Sequence, residues 1–104
     1  MTTEPPAARY FLKLFVAGQT AKADFAVANI QSIFKQLDLQ YDLVIIDILE
    51  QPHLAEEYRI LATPTLFRLS PLPVRRLVGD LSDEERVCQG LGFPRNQVHS
   101  GMKE

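Results

Sequence analysis

Residues 60–80 read ILATPTLFRLSPLPVRRLVGD. The apolar residues suggest two β-strands, Thr65 to Leu69 and Val74 to Gly79, joined through SPLP. Pro64, Pro71 and Pro73 sit in or beside them, although proline removes a ladder donor and is confined to strand edges, ends and bulges. The stretch therefore reads as a strand pair flanking a turn, or as a segment able to hold more than one conformation. Its neighbours decide how such a pair is used.

Working outward, Pro52 suits the first position of a helix, and Leu54, Tyr58 and Leu61 share one face of it. Before it, DLVIIDIL (Asp42 to Leu49) is β-rich. Further upstream Ala23, Ala26, Ile30, Ile33, Phe34 and Leu37 fall on one helical stripe. Thr20 can cap that helix, and Asp24 puts negative charge near the positive end of its dipole. YFLKLFVAG (Tyr10 to Gly18) is apolar except for Lys13, as in a strand covered on both faces. Strand, helix, strand is a βαβ unit with a right-handed crossover. After the proline-rich stretch, Ser82, Asp83, Glu84 and Glu85 form a capping box and acidic first turn. Val87, Cys88 and Leu91 then face inward, and Gly92 and Pro94 stop the helix. The predicted order is βαβαββα, an α/β thioredoxin-like arrangement. Residues 1–9 read as a flexible lead-in, 10–93 as a single domain and 94–104 as a loose tail.

The 104 residues are enough for one domain with one core. A net charge of −2 argues against a nucleic-acid binder, which needs a basic field. No basic n-region with a long apolar run opens the chain, and no run approaches the ~18 apolar residues of a membrane span. The expectation is a soluble cytoplasmic protein. Cys88 is the only cysteine, which excludes an internal disulfide and a CxxC centre; a small buried apolar role suits it.

Few residues suggest catalysis. Glu56 and Glu57 are adjacent on a helix and point about 100° apart, as a solvated face does. His53 and His99 lack partners at ligand spacing, so no metal is expected. Ser82 lies outside any GxSxG elbow, and no glycine-rich phosphate loop occurs. No cofactor is expected. Lys13 reads as a lysine snorkelling at a sheet edge. Pro64 in ATPTL stands where thioredoxin-like folds place a cis-proline, yet the loop that would carry paired cysteines reads AGQTAKAD. A thiol-dependent enzyme using Cys88 is the outlying alternative.

The runs LKLFVAG, VIIDILEQPHLAEE, ILATPTL, PLPVRRLVGDLSDEE and CQGLG resemble the KaiB family, components of the KaiA–KaiB–KaiC circadian oscillator, over about residues 10–92. The resemblance implies a non-enzymatic regulatory protein that binds the ATPase ring of KaiC and modulates its phosphorylation cycle. It also implies two folds: a resting homo-oligomer, tetramer or dimer, of order βαββααβ, and a monomeric thioredoxin-like form that binds the ring. The N-terminal βαβ is common to both. KaiA or a SasA-like histidine kinase are further implied partners. A single-fold adaptor resembling the N-terminal domain of the SasA kinase is the alternative.

Under this resemblance Arg59, Arg68, Arg75 and Arg76 are partner-binding candidates, with guanidinium forks suited to carboxylates. Without it, they read as solvated faces. Pro64, Pro71, Pro73, Gly90 and Gly92 are candidates for the fold switch. Two packings within a few kcal/mol can coexist, and X–Pro isomerisation takes tens to hundreds of seconds. Slow interconversion would suit a timing device. The sequence departs from the family in a shorter loop before the second strand, in Gly92 where an aspartate is usual, and in NQVHSGMKE, which stands in place of the acidic tail of cyanobacterial members.

Overall fold

A computed structural model describes residues 9–93. The elements are β1 (Arg9–Val16), α1 (Ala21–Leu37), β2 (Gln40–Asp47), α2 (Pro52–Glu57), β3 (Thr65–Ser70), β4 (Arg75–Val78) and α3 (Glu84–Leu91). This is the expected thioredoxin-like order. The four strands form one mixed sheet in the order β2-β1-β3-β4. β1 runs parallel to β2 and antiparallel to β3, which in turn pairs antiparallel with β4.

The apolar run of β1 follows from its central place, because both of its faces are covered. Tyr10, Leu12, Leu14 and Val16 point into the larger core, where they meet the α1 stripe, Leu66, Leu77 and the inner face of α3. Phe15 points the other way and packs with Ile46 and Phe67 against Leu54 and Tyr58. All six stripe residues predicted for α1 are buried, as are Val87, Cys88 and Leu91 of α3. Fully burying one large apolar side chain stabilises by about 1.5–3 kcal/mol, so α1 dominates the energetics of its half. Its N-terminus is closed by Thr20, whose hydroxyl accepts the Ala23 N–H at 3.1 Å. At the other end Asp38 turns left-handed, with φ 56°, and its N–H donates to the Lys35 and Phe34 carbonyls.

Four local expectations need correction. Arg9 belongs to β1 and not to a lead-in: its guanidinium donates to both Asp42 carboxylate oxygens, at 2.8 and 3.0 Å. Lys13 is not at an edge but on the central strand, where its Nζ donates to the Tyr58 hydroxyl at 2.8 Å. Leu61 does not share a buried face with Leu54 and Tyr58, because α2 stops at Glu57 and Arg59 turns left-handed (φ 54°); Leu61 is 96% exposed. The cap of α3 is Asp83, which accepts the Arg86 N–H at 3.2 Å, and not Ser82, whose N–H is taken by the Asp80 carboxylate at 3.0 Å. Beyond these, β2 begins and ends two residues earlier than read, at Gln40 and Asp47. Pro94, His99 and the rest of residues 1–8 and 94–104 lie outside the described residues.

Candidate functional site

The end of the sheet where thioredoxins carry their dithiol is built here from other residues. A shallow cavity of about 200 Å³ is lined by Val16, Ala17, Thr20, Lys22, Ala23, Thr63 and Pro64. The Thr63–Pro64 peptide is cis, and so are Ser70–Pro71 and Leu72–Pro73. The loop from β1 to α1 is fastened by Asp47, whose carboxylate accepts the N–H groups of Gly18 and Leu49, both at 2.9 Å. No thiol, imidazole or carboxylate lines the cavity. Cys88 lies elsewhere, buried in α3 at 1% exposure. Among the described residues no group of three or more His, Cys, Asp or Glu can hold a metal, and no helix is long and apolar enough to cross a membrane.

The four arginines do not form one cluster. Register pairs Phe67 with Arg76 and Arg68 with Arg75, so the two adjacent arginines of β4 point to opposite faces. On the α2 side, Arg76 stacks its guanidinium 4.9 Å from the Phe67 ring centroid. Its Nη2 donates to the carbonyls of Tyr58, at 2.9 Å, and Arg59, at 2.5 Å. Arg76 thereby clamps the exit of α2 and holds Arg59 beside it. The Arg59 side chain is exposed and bonds to no described residue. Leu61 stands two residues further on, fully in solvent.

On the α3 side Arg68 is 5% exposed, so the expectation of a surface guanidinium is corrected. Its Nη1 donates to the Leu91 carbonyl and its Nη2 to the Pro73 carbonyl, both at 2.6 Å. The side chain thus joins β3, the β3–β4 turn and the C-terminus of α3. Such bonds from a charged donor are the stronger kind. Arg75 sits beside it, exposed. Gly92 ends α3 in a left-handed conformation (φ 73°), and Gly90 packs its Cα against Leu77, where an added Cβ would meet Cδ1 at 3.1 Å.

Sequence reasoning missed the Arg9–Asp42 pair. The hydrogen bond from Arg9, reinforced by its charge, holds the Asp42 carboxyl below the usual carboxylate range, and the guanidinium is raised in return. Asp80 is lowered as well, chiefly by its hydrogen bonds to Ser82. Nothing in the spacing of Arg9 and Asp42 announces the pairing, since it depends on the β1–β2 register.

These features define a thioredoxin-like domain without the thioredoxin dithiol, whose distinctive groups are guanidiniums bonded to backbone carbonyls. The comparisons with known proteins narrow the class. The KaiB domain model matches residues 13–93, and the chain belongs to the KaiB family. A Synechococcus species has a "Circadian clock oscillator protein KaiB" 52% identical over 87 residues, covering 83% of this chain and 79% of that protein. The protein of the same name from Nostoc punctiforme is 46% identical over 93 residues, covering 88% and 89%. Among solved structures, the N-terminal domain of Synechococcus elongatus SasA superposes with a TM-score of 0.66 at 21% identity, over 100% of this chain and 96% of that one. Mitochondrial thioredoxin 3 of Saccharomyces cerevisiae gives 0.62 at 15% identity, covering 82% and 78%. At such identities these two neighbours establish the fold alone.

Proposed function

We propose that this protein is a non-catalytic clock regulator that docks, in its thioredoxin-like form, on a KaiC-type ATPase ring and modulates the ring's phosphorylation cycle. The reading rests on family membership across most of the chain. The fold supports it, because the thioredoxin-like order is the one the family resemblance assigns to the ring-binding form. The resting state is a homo-oligomer of the alternative βαββααβ order. Pro64, Pro71, Pro73, Gly90 and Gly92 lie in the half that is rebuilt between the two. KaiA or a SasA-like kinase would meet the same form, and the setting is cytoplasmic.

Of the four arginines, Arg59, Arg75 and Arg76 are exposed, Arg76 also bonding to the carbonyls of Tyr58 and Arg59, whereas Arg68 is buried in the fold. Arg59 and the exposed Leu61 combine a cation with an apolar anchor at the end of α2, a pairing suited to an interface core with a charged rim. Size-exclusion chromatography with light scattering, with and without a KaiC ring, tests the reading. An oligomer that converts slowly into ring-bound monomers supports it. A chain that stays in one assembly and ignores the ring removes it. Arg59→Glu is expected to weaken ring binding tenfold or more, about 1.4 kcal/mol, and an unchanged affinity would take Arg59 out of the interface.

A further inference from the structure

Arg68 and Arg75 face one another across the β3–β4 register and converge on Gly92. A Cβ on Gly92 would lie 3.1 Å from Arg68 Nη1 and 3.8 Å from both Cζ and Nη2 of Arg75. A guanidinium offers five N–H donors. Arg68 directs one from Nη1 to Leu91 and one from Nη2 to Pro73, while its Nε is enclosed and has no partner. Arg75 donates to no described residue, and the one ion pair among the described residues is between Arg9 and Asp42, on β1 and β2. Two full positive charges therefore meet at one point, and no salt bridge joins either to a carboxylate among the described residues. The C-terminus of α3 offsets them by about half a charge. A buried cation ordinarily has a counter-charge.

We propose that the corner formed by Arg68, Arg75 and Gly92 binds a small oxyanion, a phosphate or carboxylate. The oxyanion sits over Gly92, which itself places no side chain there, and takes planar N–H pairs from Arg75, the geometry in which guanidinium recognises such groups. Arg68 contributes charge and its remaining donors from the inner wall. The bound ion ties the C-terminus of α3 to the β3–β4 hairpin, so it strengthens the contacts on which this half of the fold depends. This inference is independent of the docking reading, and its test uses the isolated chain, without an ATPase.

The test is an NMR titration of the full-length protein with sodium phosphate, matched in ionic strength by sodium chloride, following the Arg Nε–H signals and the Gly92 amide. The expected result is a saturable shift of Arg75 Nε–H and Gly92 N–H in phosphate that chloride does not reproduce. Arg75→Gln, an exposed change, should abolish it. Gly92→Asp should abolish it too, because a tethered carboxylate then fills the corner and aspartate tolerates a left-handed φ. A parallel titration with sodium acetate separates the two sources: response to both defines a carboxylate-competent site, and response to phosphate alone defines a phosphate site. Shifts that are linear, equal in chloride, or unchanged in Arg75→Gln would overturn the proposal.

Discussion

The two halves of this molecule share a core but are fastened differently around it. From Arg9 to Asp47 the chain forms long elements, eight residues in each strand and seventeen in α1, and α1 alone buries six residues in the larger core. From Pro52 onward α2 has six residues, none buried, and β4 has four, although β3 and the eight-residue α3 still place Leu66, Val87, Cys88 and Leu91 in the same core. Arginines fasten that second half to backbone carbonyls. Arg68 holds Leu91 and Pro73, Arg76 holds Tyr58 and Arg59, and Arg86 holds Val78 at 2.9 Å. Burial of apolar area is large and non-directional, whereas one such hydrogen bond contributes about 1.5–3 kcal/mol and demands a set geometry. Where directed bonds supplement burial, that half answers more sharply to a change of geometry than the half that depends on a packed helix. That contrast suits the proposed refolding, in which the second half is rebuilt and the first is kept.

Substitutions can break the contrast. The largest effect is expected from Phe34→Ala, which empties the centre of the α1 core and costs about 3–5 kcal/mol. Because that core is shared, chemical denaturation should show loss of the whole protein; survival of the fold with little change would refute the ranking. Arg68→Met keeps the apolar stem but strands two carbonyls, and a cost of about 2–4 kcal/mol is expected. Its effect should fall on α3 and the β3–β4 hairpin, measured as lost NMR dispersion there while α1 signals stay in place. Uniform loss would mean that the two halves are not separable.

Smaller effects sharpen the same comparison. Gly90→Ala gains helix propensity, up to about 1 kcal/mol and less in a last turn. It presses on Leu77 Cδ1 at 3.1 Å, and that side chain, 9% exposed, must give by a few tenths of an ångström. A net gain for α3 below about 1 kcal/mol is expected, read as a higher thermal midpoint; a lower midpoint would show that Leu77 cannot give way. The least effect belongs to Arg9–Asp42, an exposed pair. Its carboxyl is held below the ordinary aspartate value, so its contribution is complete above that value, about 3.9, and is lost as pH falls through the lower folded value. In Asp42→Asn the acid-side fall in stability should be slightly shallower below about pH 4, so the variant's small deficit is present at neutrality and vanishes in acid.

The same division explains how much could be read in advance. The α1 stripe, its Thr20 cap and the inward face of α3 were all visible because a 3.6-residue period repeats across them. The element order was legible too. In the second half, neighbouring residues offered equivalent choices. Ser82 and Asp83 are both good caps, and the choice fell to Asp83 because Asp80 takes the Ser82 amide. Leu61 continues the spacing of Leu54 and Tyr58, but the left-handed turn at Arg59 carries it out into solvent. Thr-Leu-Phe-Arg-Leu in β3 has apolar groups on both faces, so no alternation told that Arg68 points into the core. The division of Arg75 from Arg76 needed only the two-residue period of a strand. Their convergence on Gly92 and on the exit of α2 needed the register.

Native-state hydrogen exchange on the full-length protein tests the division directly. The account predicts two tiers: amides of β1 and α1 exchange only at the global unfolding free energy, while those of α2, β4 and α3 open at a distinctly lower one. A single free energy shared by both sets would contradict it.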